Sequence, residues 1–166
     1  MAKKILSIFG DEFFPRIGAG SSPTKRQVAA DNLMEFLRSL SPELVYIVPT
    51  AGTCAYAAMV CKLMKIPFIL VCPYPGYFDA LNFNDKCLIE SVLDEAKSLI
   101  ILNEEPVDDG QEEAMKFLST VGEALVFFYN SDFEGDFQEF ITAQVNEHIG
   151  KKLLMELPYN ERKVFD

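Results

Sequence analysis

The sequence has one histidine, His148, and four cysteines, Cys54, Cys61, Cys72 and Cys87, with no C-x-x-C spacing among them. That scarcity argues against a zinc site, and no metal or other cofactor is expected. The thiols read as small buried hydrophobes of a reducing compartment. No apolar run approaches the roughly 20 residues a bilayer helix needs, so no membrane partner is expected. The start, MAKKILSIFG, lacks a long apolar stretch and a small-residue cleavage site. It reads as a first strand, which points to a cytoplasmic protein. There is no internal repeat, low-complexity tract or linker. Basic charge is also short: 15 Lys and Arg stand against 25 Asp and Glu, a net charge of -10. A nucleic-acid surface needs a basic face to displace counterions, so no nucleic-acid partner is expected.

What is present is a globular composition. The 166 residues are 49% hydrophobic and 24% charged, enough to bury a core within one domain spanning 1–166, with a polar tail over 157–166. Apolar strand-like runs alternate with helical periods. Strands are expected at 4–9, 44–48, 67–72, 98–102, 124–129 and 152–157. Helices are expected at 23–40, 54–64, 82–96, 111–121 and 136–149. Ser22-Pro23 is a cap followed by proline at the first helical position, and Ser41-Pro42 ends that helix. Continuous apolar strands between helices imply an α/β fold, Rossmann-like and doubly wound. Its mostly parallel sheet of about six strands would carry helices on both faces. Such folds bind ligands at the carboxyl ends of the strands, here the loops 10–22, 49–54, 73–82, 103–110 and 130–136.

Those loops hold the candidate residues. Gly10 opens the first loop, and Arg16 within it suits a phosphate. The spacing is not a G-x-G-x-x-G fingerprint. Gly52 and Thr53 sit in PTAGT, where backbone N–H groups and a helix dipole favour an anion; tight packing would select the same small residues. Tyr74 and Tyr77 are placed to stack on a base or to cover the sheet. Asn130 and Gly135 lie in the turn after the fifth strand, and Glu139 falls in the first turn of the following helix. A carboxylate there is a plausible nucleophile or ribose-hydroxyl acceptor, although acids are common in first turns for the dipole alone. Asp132, Glu134 and Asp136 crowd the same turn and would repel a phosphate.

Four segments in order, LSIFGDEFFPRIG, PTAGTCAYAAMVCKLM, ILVCPYPGYFDALNFNDKCLIESVLDEA and GEALVFFYNSDFEGDFQEF, resemble the SLOG superfamily of SMF/DprA and Lonely Guy proteins, nearest its YpsA-like branch. The resemblance runs from Leu6 to about Leu154. It implies a Rossmann-like domain, frequent homodimers or higher homo-oligomers, and a pocket for nucleotides or ADP-ribose-like ligands. Some members of the superfamily cleave N-glycosidic bonds and others only bind. The Lonely Guy motif PGGxGTxxE corresponds here to residues 132–139, of which Gly135 and Glu139 match. The proline–glycine–glycine start is absent, and Asp136 replaces the threonine. Cys54 stands where relatives carry an acid. The resemblance with these departures implies a nucleotide-binding protein that senses or sequesters its ligand without turnover. The alternatives are an N-glycosidase or deoxyribosyltransferase using Glu139, and an interaction adaptor on a degenerate fold.

Overall fold

The computed structural model describes residues 5–10, 23–48, 53–80, 83–108, 110–129 and 152–156. Strands and helices alternate along the chain: β1 (Ile5–Gly10), α1 (Pro23–Leu40), β2 (Leu44–Ile47), α2 (Thr53–Met64), β3 (Phe68–Cys72), α3 (Phe83–Leu93), β4 (Ser98–Ile101), α4 (Gly110–Val121), β5 (Ala124–Tyr129) and β6 (Lys152–Glu156). The strands pair in the order β4-β3-β2-β1-β5-β6, and every pairing is parallel. The α/β class with a parallel sheet is therefore the one the alternating pattern implied. The helix expected at 136–149 lies outside the described residues.

The helix ends show how local chemistry sets the boundaries. Pro23 opens α1, where its fixed φ costs nothing and its missing N–H is not needed. At the other end Ser41 adopts φ 47, and its N–H donates to the Leu37 carbonyl at 2.9 Å. Pro42 then prevents continuation. Helix α2 ends in a Schellman motif. The Ile66 N–H donates to the Cys61 carbonyl at 2.9 Å and the Lys65 N–H to the Lys62 carbonyl at 3.2 Å. Lys65 takes the left-handed conformation, φ 59, that glycine usually fills.

The sheet divides the interior by alternation. Leu6, Ile8, Val45, Ile47, Phe68 and Leu70 point to one face and join Leu33 and Leu37 of α1 and Ala57, Ala58, Val60 and Cys61 of α2. Each large side chain in that layer stabilises the fold by about 1.5–3 kcal/mol through burial. Ser7 and Tyr46 point the other way and meet α4. The Ser7 hydroxyl donates to the Leu118 carbonyl at 2.8 Å, and the Tyr46 and Phe117 rings meet edge-on at 6.4 Å. Gly122, just past α4, lets that helix end close on β1. A Cβ there would meet the Ser7 hydroxyl and come within 3.0 Å of the Ser7 nitrogen.

Burial departs from the apolar pattern in three places. Strand β4 is apolar in sequence but exposed, with Leu99 at 42% and Ile101 at 47%, because it ends the strand order. Helix α2 is not buried all round, since Leu63 is 62% exposed. Cys61 and Cys72 are buried, yet Cys87 is exposed on α3.

Candidate functional site at the strand carboxyl ends

In a parallel sheet every strand ends on the same side, so the loops after β1 to β5 share one rim. Gly10 closes β1 and is paired in register with Phe128 of β5. The chain leaves β1 toward β2 on one side, and β5 lies on the other. In α/β sheets as a class, ligands bind where the strand order reverses in this way. Thr53 is the first residue of α2. Arg16, Gly52, Asn130, Gly135 and Glu139 lie outside the described residues.

Helices α1 and α2 carry no acidic residue in their first turns. A helix N-terminus presents backbone N–H groups and the positive end of its dipole, which favours an anion there. The β3–β4 part of the rim differs. Glu104, Glu105 and Asp108 are exposed there. The Glu113 carboxylate accepts a hydrogen bond from Asn103 Nδ2, which brings negative charge to the first turn of α4.

The loop after β3 is well braced. The Asn103 N–H and its Nδ2 both donate to the Pro73 carbonyl, each at 3.0 Å. Gly76 takes φ +80, and its carbonyl accepts from the Asp79 N–H at 2.9 Å. That turn leads into a 3-10 helix over Tyr77–Ala80, which periodicity did not foresee. Asp79 pairs with Lys86 of α3 at 3.0 Å. Hydrogen bonding to Asp79 and its charge raise the Lys86 pKa. Gly110 lets the start of α4 abut the loop, since a Cβ there would lie 2.7 Å from Pro73 Cβ and 3.3 Å from the Tyr74 ring.

Tyr74 and Tyr77 meet each other. Their centroids are 5.5 Å apart and their planes cross at 88°. Perpendicular rings cannot both lie flat on one base, so at most one can stack while the other supports it edge-on. Asn103, Glu113 and Gly110, which fix this loop, escaped the sequence reading. Their partners are distant in sequence, and only the glycine at a loop-to-helix junction offered a signal.

Among the described residues no group of three His, Cys, Asp or Glu side chains converges. Burial pushes the Cys61 and Cys72 thiols up to about 12, so neither supplies a thiolate at neutral pH. No helix among the described residues is long and apolar enough to cross a membrane.

Together the rim and the parallel sheet define a Rossmann-like α/β domain. No protein-family model matches the chain, and no curated protein matches it significantly. Among solved structures, it is similar in fold to DNA processing protein A from Helicobacter pylori, described for its single-stranded DNA binding mode. The TM-score is 0.62 at 11% identity, over 97% of this chain and 68% of that one. A second structure, Streptococcus suis SuiB bound to S-adenosylmethionine, gives a TM-score of 0.34 at 13% identity, over 99% of this chain and 40% of that one. The likeness to DNA processing protein A shows a shared fold.

That likeness corrects one expectation. The exclusion of nucleic acid rested on net charge, and a protein of the same fold is described by how it binds single-stranded DNA. Net charge is a sum over the whole chain, whereas binding depends on the local field. Residues 1–84 hold eight Lys and Arg against six Asp and Glu, and residues 85–166 hold seven against nineteen. The acidity belongs to the second half of the chain, so the total did not license the exclusion.

Proposed function

We propose that this chain is a cytoplasmic protein of the SLOG superfamily, YpsA-like branch, built on a doubly wound, six-stranded Rossmann-like sheet. It binds a nucleotide or an ADP-ribose-like metabolite at the strand carboxyl ends and holds it without turnover. The observation that carries the reading is the division of charge along that rim. The acid-free first turns of α1 and α2 favour phosphate near Gly10, Arg16, Gly52 and Thr53. Asn130 and Gly135 contribute further ligand contacts away from the phosphate. The Tyr74–Tyr77 pair stands two strands from β1, about 10 Å at the usual strand spacing. One of its rings takes the base.

Mass spectrometry of small molecules released by heating the purified protein tests this, followed by calorimetry with AMP, ADP and ADP-ribose. Release of an intact nucleotide, or sub-millimolar binding of one of the three, supports the reading. Free base with ribose phosphate, lost in Glu139→Ala, would replace it with an N-glycosidase. No release and no binding would sink both.

A second reading, single-stranded nucleic acid as the ligand, is favoured by the fold shared with DNA processing protein A. Fluorescence anisotropy with a labelled oligo-dT at two salt concentrations tests it. Salt-sensitive binding tighter than that of any mononucleotide would prefer this reading.

A further inference from the structure

We infer that the outer edge of β4 is a docking strand for an extended, basic segment of another protein, which joins the sheet beside β4. This inference is independent of the nucleotide reading. Strand β4 ends the strand order and pairs with β3 alone among the described strands. An end strand presents backbone donors and acceptors that a further chain can use. Proteins usually blunt such an edge with proline, charge or a bulge. Residues Ser98–Ile101 read SLII and contain no proline and no charge.

The side chains agree with the backbone. Leu99 and Ile101 are in register with Leu70 and Cys72, which are 0% and 3% exposed. The row that is buried on β3 is thus left open on β4, where Leu99 is 42% and Ile101 47% exposed. Helix α3 packs chiefly on α2, and β4 makes its main contacts with β3. An added strand with apolar side chains at alternate positions would cover Leu99 and Ile101.

Charge selects the occupant. Exposed Asp94 and Glu95 precede the strand, exposed Glu104, Glu105 and Asp108 follow it, and Lys97 is the basic residue among them. A second copy pairing β4 to β4 would set these carboxylates against each other. A segment with Lys or Arg flanking a short apolar stretch meets them favourably.

The test uses the full chain and three labelled peptides: KRVTVKR, its acidic counterpart EEVTVEE, and KRVTVKR N-methylated at alternate amides. Fluorescence anisotropy is expected to show KRVTVKR binding at least tenfold tighter than either of the others. Ile101→Lys and, separately, Glu104→Lys with Glu105→Lys are expected to weaken it at least tenfold. All three positions are exposed, and circular dichroism checks that the fold is kept. Failure of KRVTVKR to bind would overturn the inference, as would equal binding of the acidic peptide. Undiminished binding of the N-methylated peptide would also overturn it, because attraction without strand pairing would then suffice. Dimerisation of the wild type in sedimentation, abolished by Ile101→Lys, would overturn it too by giving the edge to a second copy.

Discussion

At the scale of single residues, two glycines do what no other residue can do in their places. Gly122 admits β1 to the end of α4, and Gly110 admits the Pro73–Tyr74 loop to its start. Neither role depends on unusual backbone angles; each is a matter of space. Gly110→Ala is expected to destabilise the protein by about 1–3 kcal/mol, the usual cost of overpacking. Chemical denaturation measures it, and a cost below about 0.5 kcal/mol would show that the loop simply yields. Because the new methyl would press on Tyr74, the same variant should also alter tyrosine fluorescence. Tyr74 and Tyr77 were singled out by residue type alone. Their perpendicular contact follows from a loop held by Asn103, thirty residues away in sequence, which composition could not disclose.

At the scale of elements, the described helices and strands fall within a few residues of where periodicity put them. The reason is local: apolar spacing, Pro23 at a helix start and Ser41-Pro42 at a helix end act over one or two turns. Helix α3 ends at Leu93, short of the expected Ala96, because the Glu95 and Ala96 N–H groups turn to the Val92 and Leu93 carbonyls. Lys65 offers the clearest element-scale prediction. It closes α2 with φ 59, a conformation strained for any residue with a Cβ. Lys65→Gly is expected to raise stability by about 1 kcal/mol, partly offset by the freer unfolded chain. A thermal melt that fell instead would show that the lysine side chain contributes more than its backbone strain costs. The candidate site was only partly legible at this scale. Gly10, expected to open the first loop, is the last residue of β1, and Thr53, expected in the turn, is the first residue of α2. Glu139 and the turn before it fall outside the described residues.

At the scale of the whole molecule, burial couples two thiols to global stability. Cys61 and Cys72 have folded pKa values near 12, against an ordinary 9.0. A folded state that keeps its protons longer than the unfolded chain loses stability as pH rises between those values. The contribution is whole below pH 9 and falls away toward pH 12. The check is a difference between two proteins, so that every other ionisation cancels. Denaturant unfolding from pH 8 to 11 should fall less steeply in Cys61→Ala than in the wild type. Equal slopes would mean that the thiol is not sealed in the folded state. Charge also acts at this scale, since the -10 total conceals a first half slightly basic and a second half strongly acidic.

The sequence by itself determined the succession of strands and helices, and with it the α/β class. Hydrophobic period and helix caps are properties of neighbours along the chain. Only the tertiary structure decided which strand stands at the edge, and so why SLII is exposed while the equally apolar FILVC of β3 is buried. It alone set β1 between β2 and β5 and turned Tyr74 against Tyr77. These outcomes depend on partners tens of residues apart, chosen by burial and chain crossing, which no local pattern encodes.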